Sequence, residues 1–101
     1  MVDSRQISEY IQLELSAKLE RYLVELSEIC AIDAGSYHKP GIDQVQDIFA
    51  ARLAGLGFTV ERVANQDWGD DLVARRKGSG VGRILLIGHA DTVYPIGIAA
   101  E

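Results

Sequence analysis

Apolar residues recur at steps of three and four along the first third of the chain: Ile7, Ile11, Leu15, Leu19, Leu23, Leu26 and Cys30, with Tyr22 and Ile29 beside them. That spacing predicts a helical segment with one apolar stripe. Asp3 or Ser4 is placed to cap its start, and Gln6, three residues after Asp3, suits a capping box. Glu9, Glu14, Lys18, Glu20, Arg21, Glu25 and Glu28 fill the opposite face, which reads as solvated rather than as a binding surface. Glycine and proline then mark residues 33–41 as a loop. Ile42, Val45, Ile48 or Phe49, Leu53 and Leu56 resume the helical period, and Gly57 stands where a left-handed cap would end it.

From residue 58 the period changes to two. Phe58-Thr-Val-Glu-Arg-Val alternates as a half-buried strand does, residues 65–70 read as a turn, and 71–76 predict a second, antiparallel strand. After the turn Gly78-Ser-Gly-Val-Gly, residues 83–88 predict a third strand. Its Ile-Leu-Leu-Ile core is continuous rather than alternating, which suits a central strand covered on both faces. The expected fold is therefore α/β, with two N-terminal helices packed on a mixed three-stranded sheet.

Composition agrees with one ordinary globular domain: 101 residues, 48% hydrophobic and 25% charged. The net charge of −5 lies wholly in residues 1–50, with nine acids against four bases; residues 51–101 carry six of each. Neither half has the basic excess that binding a phosphate backbone requires, so no nucleic-acid partner is expected. The single cysteine, Cys30, allows no internal disulfide and reads as a small buried apolar residue. With no signal-peptide pattern and no long apolar run, the expectation is no membrane partner and a cytoplasmic location.

Several features that invite a chemical reading have a plainer one. The glycines of residues 78–82 precede a strand, whereas a phosphate loop must open a helix, so they read as a hairpin turn. Asp70 and Asp71 are neighbours in extended chain and point apart, so they read as a turn and a strand start. Arg75-Arg76-Lys77 read as a solvated strand end, and His38 as an exposed loop histidine.

His89 and Asp91 stand apart from these. They follow the most apolar strand at its carboxyl end, where open α/β sheets place their binding crevice. Two positions apart in extended chain, they project to one side, so a carboxylate can hold one ring nitrogen while the other faces a metal. An aspartyl-phosphate reading of Asp91 fails on Val93, which stands where that chemistry needs a second acid.

The stretch Gly88-His-Ala-Asp-Thr-Val-Tyr-Pro-Ile-Gly resembles the first metal motif of the dinuclear zinc aminoacylase and carboxypeptidase superfamily. It looks closest to the glutamate carboxypeptidase (carboxypeptidase G-like) branch. Leu23-Val-Glu-Leu-Ser, Gly35-Ser-Tyr-His-Lys-Pro-Gly-Ile-Asp, Leu53-Ala-Gly-Leu-Gly-Phe-Thr-Val and Gly69-Asp-Asp-Leu-Val-Ala-Arg resemble that branch in the same order. The resemblance implies that His89 ligates one of two zinc ions and that Asp91 serves the catalytic centre by orienting the His89 ring. It implies hydrolysis of an amide next to a free carboxylate, in a peptide or N-acyl amino acid substrate, by a metal-bridging water. The family's remaining ligands, its base glutamate and its lid or dimerisation domain all come later than this motif. The expectation is thus a single incomplete catalytic domain over residues 1–101, an N-terminal fragment inactive by itself, with homo-oligomers possible. The alternative is a non-enzymatic α/β module that self-associates through its sheet edge. Weak binding of one metal, with water completing the shell, is a third reading.

Overall fold

The computed structural model describes residues 3–100, in two compact units that divide after Cys30. The first unit is helical. Helix α1 spans Ser4–Ala17 and α2 spans Leu19–Cys30. Asp3 is the cap: its Oδ1 accepts from Gln6 N at 2.8 Å, and Gln6 Oε1 accepts from Asp3 N at 3.3 Å. These two bonds satisfy donors that the first helical turn would leave open. The single apolar stripe is interrupted at Lys18, whose N–H donates to Leu15 O at 3.1 Å, a bond over three residues in place of four. Neither glycine nor proline stands near this break, and nothing in the structure explains it. Arg5–Glu9 at 3.2 Å and Arg21–Glu25 at 3.1 Å bridge one turn on the charged face. Cys30, read as a buried apolar residue, is exposed.

The second unit is built on helix α3, Lys39–Gly55, and a hairpin of strands β1, Thr59–Val63, and β2, Asp71–Arg75. Helix α3 begins three residues before the apolar period does, because Pro40 lies in its first turn and not in a loop. Proline is at home there, where its missing N–H has no helical partner to lose. The other end closes as the sequence foretells: Gly57 adopts φ +88°, Gly57 N donates to Ala54 O at 3.1 Å, and Phe58 N donates to Leu53 O at 3.0 Å. This pair of bonds caps the last carbonyls.

The strands pair antiparallel from Thr59↔Arg75 to Val63↔Asp71, and α3 packs against both. The small core at this junction is Ala34, Ile42 and Val45, the last only 2% exposed. Strand alternation places Val60 and Arg62 on the partly buried side of β1. Arg62 tolerates that side because carboxylates meet it. Its Nη1 donates to Asp47 Oδ1 at 2.6 Å, and its Nη2 donates to Asp43 O at 3.0 Å. Its Nε lies 3.3 Å from Asp70 Oδ2, in ion-pair range but not aligned as a hydrogen bond.

Asp70 joins the hairpin turn to α3. Lys39 Nζ donates to its Oδ1 at 2.5 Å, Asn65 N donates to the same oxygen at 3.1 Å, and its own N–H donates to Asp43 Oδ1 at 2.8 Å. The lysine bond first, and the Asn65 N–H next, hold the Asp70 carboxyl below the ordinary aspartate range. Asp71 is exposed and pairs in register with Val63, so the two carboxylates do part company as expected.

The fold class is α/β in its elements, but the expected mixed three-stranded sheet is corrected to a two-stranded antiparallel one. Residues 83–88 form no strand, and Ile84, Leu85, Leu86 and Ile87 are 81–91% exposed. A strand apolar on both faces is stable only between two neighbours and two covering layers, and the described residues supply neither. The expected pair of packed helices also changes: α3 packs on the sheet, while α1 and α2 form a unit of their own. Among the described residues no helix is long and apolar enough to cross a membrane.

Candidate functional site

The His-x-Asp segment is held without a sheet. Thr92 N donates to Ala34 O at 2.7 Å, and Ser36 N donates to Thr92 O at 3.0 Å, an isolated parallel bridge centred on Gly35 and Thr92. Further along, Asp33 Oδ1 accepts from Gly97 N at 3.1 Å and from Ala99 N at 3.3 Å. The loop before α3 therefore holds the segment on both sides of Tyr94. Gly35 makes the approach possible, since a Cβ there would lie 2.7 Å from the Tyr94 carbonyl oxygen.

On this support His89 and Asp91 do converge. His89 Nδ1 lies 2.9 Å from the Asp91 carbonyl oxygen and 3.2 Å from Asp91 Oδ1. Both neighbours are acceptors, so in the neutral ring Nδ1 must carry the proton and donate it. Nε2 keeps its lone pair and has no hydrogen-bond partner among the described residues. The His89 side chain is 83% exposed and that of Asp91 43%. The other carboxylate oxygen, Asp91 Oδ2, accepts from Ser36 Oγ at 2.6 Å. That hydroxyl is the main influence holding the Asp91 carboxyl below its ordinary range, with His89 adding to it.

The pair opens onto a cleft of about 860 Å³ within the second unit. Phe49 and Leu53 of α3, Leu72 of β2 and Leu86 give it apolar walls, while Gln46, Asn65, Asp70 and Asp71 add polar groups to those of Ser36, His89 and Asp91. Trp68 also lines it and leans on Tyr37, ring centroids 5.3 Å apart at 44°.

A dinuclear zinc centre needs far more than this. A catalytic zinc takes about three protein ligands. Among the described residues no group of three or more His, Cys, Asp or Glu side chains could hold a metal ion. His38, at the start of α3, makes no side-chain capping bond. The residues present fit one ligand of a metal centre, an imidazole of fixed tautomer with an open Nε2, and not a whole centre.

Ser36 was not singled out for any chemistry in the sequence, and neither was Asp33. Both lie more than fifty residues from the groups they hold, so no local spacing could have paired them. The resemblance that includes residues 35–43 was the one signal pointing to that loop.

No family model matches the chain, and no solved structure matches it. Among curated proteins it is similar to Carboxypeptidase G2 of Pseudomonas sp. (strain RS-16), with 37% identity over 78 residues. The match covers 75% of this chain and 19% of that protein, so the chain spans about a fifth of its relative's length. Over the matched residues the chain is carboxypeptidase-like.

Proposed function

We propose that the chain is the N-terminal portion of the catalytic domain of a zinc-dependent, glutamate carboxypeptidase-like hydrolase. The substrate class is a peptide or N-acyl amino acid cleaved at an amide next to a free carboxylate. The observation that carries this reading is an imidazole held at Nδ1 by Asp91 and open at Nε2, in a chain 37% identical to a carboxypeptidase over 78 residues. His89 is the metal ligand and Asp91 its orienter. Zinc, when bound in such an enzyme, makes water acidic enough to attack and polarises the scissile carbonyl. This chain's part is narrower. Asp91 keeps the proton on Nδ1 and raises the basicity of Nε2, and the adjoining cleft offers apolar walls to whatever the complete site binds. The lid or dimerisation domain and the remaining ligands lie outside these residues in this reading, so the chain alone is inactive.

A zinc titration followed on the imidazole resonances tests it. Zinc should broaden or shift the His89 resonances before those of His38, weakly and saturably, and His89→Ala should abolish that response. The same protein with zinc should turn over no N-acyl-glutamate above the blank. A first response at His38, or zinc-dependent hydrolysis by this chain, would overturn the reading.

A further inference from the structure

We propose that Ser36 is a positioning residue for His89, acting through the Asp91 carboxylate. The inference rests on the reading of His89 as a metal ligand, and extends it to a side chain 55 residues upstream of Asp91.

The geometry divides the carboxylate between two tasks. Oδ2 accepts from Ser36 Oγ at 2.6 Å, and Oδ1 faces His89 Nδ1 at 3.2 Å. Asp91 sits on a segment without regular secondary structure and is nearly half exposed, so its own backbone does little to fix the carboxylate plane. Anchoring one oxygen fixes that plane and with it the direction of the other. The anchor is itself held, because Ser36 N donates to Thr92 O while Thr92 N donates to Ala34 O. Hydroxyl and carboxylate therefore project from two backbones already joined by hydrogen bonds. Thr92 O, at 3.3 Å, is a second acceptor within reach of the hydroxyl. The shorter bond to an ionised acceptor is the stronger of the two.

The consequence appears at the ring. With Oδ1 at 3.2 Å and the Asp91 carbonyl oxygen at 2.9 Å both facing Nδ1, the neutral imidazole keeps its proton there and presents a bare Nε2 outward. Without the hydroxyl, the carboxylate turns toward solvent and Nδ1 keeps only the Asp91 carbonyl oxygen at 2.9 Å, so the share of the Nε2–H form, which offers no lone pair outward, rises.

Long-range proton–nitrogen spectra of the two imidazoles read this directly, without metal, at about pH 8, above the ordinary histidine range. In the unaltered chain His89 should show a protonated Nδ1 and a bare Nε2. Ser36→Ala should shift that ratio several-fold toward Nε2–H, Ser36→Thr should restore it, and His38 should stay unchanged throughout. Restoration by threonine separates loss of the hydroxyl from damage to the loop. If Asp91→Ala moves the ratio and Ser36→Ala does not, the role of Ser36 is overturned while the His89–Asp91 pairing stands. If neither variant moves it, the carboxylate is overturned as the holder of the ring, and the residue 91 carbonyl oxygen alone fixes the proton.

Discussion

The hairpin of residues 59–75 and the segment of residues 83–88 lie in the same unit, yet only the hairpin forms β-structure. Segment 83–88 is the more apolar, with four aliphatic residues in a row against an alternating, charged hairpin. Hydrophobicity is therefore not what decides between them. The hairpin needs partners that are close at hand: each strand is the other's neighbour across a short turn, and α3 covers one face. Its charges are matched too, since Arg62 meets Asp43 and Asp47 on α3 and Asp70 at the turn. Segment 83–88 needs strands on both sides and layers on both faces, all of them non-local contacts. Beyond it the chain hydrogen bonds to the loop before α3 through Asp91, Thr92, Gly97 and Ala99, and His89 joins through Asp91.

The widest gap between the two regions should appear in stability. Ile42→Ala, in the core beneath the hairpin, should cost about 2–5 kcal/mol, whereas Leu85→Ala should stay within about 0.5 kcal/mol. Denaturant unfolding followed by Trp68, the one tryptophan and a residue of this unit, measures both. Comparable losses would mean that residues 83–88 are packed after all.

A smaller difference should emerge in acid. The Asp70 carboxyl is depressed from its ordinary 3.8, so its contribution is fully present above that value and drains as pH falls toward the folded-state pKa. Stability of the unaltered chain should therefore fall below about pH 4, and Asp70→Asn should flatten that part of the curve. An unchanged acid limb in the variant would remove Asp70 from the forces holding the turn to α3.

The smallest effect should be local. Gly35→Ala forces a methyl group against the Tyr94 carbonyl and should open the bridge to Thr92 while the hairpin stays intact. Amide exchange should then quicken at Ser36 and Thr92 but not along β1 and β2. Uniform quickening would show that the two regions are one cooperative unit.

Much of this molecule is legible along the chain, because its elements rest on short-range physics. The Asp3–Gln6 capping box, the Gly57 cap and the antiparallel hairpin each depend on residues a few positions apart. The convergence of His89 and Asp91 is likewise a two-residue geometry, and spacing alone foretold it. Pro40, read as part of the loop of residues 33–41, lies in the first turn of α3. Arg62 takes the partly buried side of β1 because three carboxylates converge there. The sequence by itself determined the helical segments, though not the break at Lys18, and also the hairpin and the convergence of imidazole with carboxylate. Only the tertiary structure decided that residues 83–88 stay unpaired and that Ser36 and Asp33 hold the His-x-Asp segment. Contacts across more than fifty residues depend on how the chain closes on itself, and no local period records that.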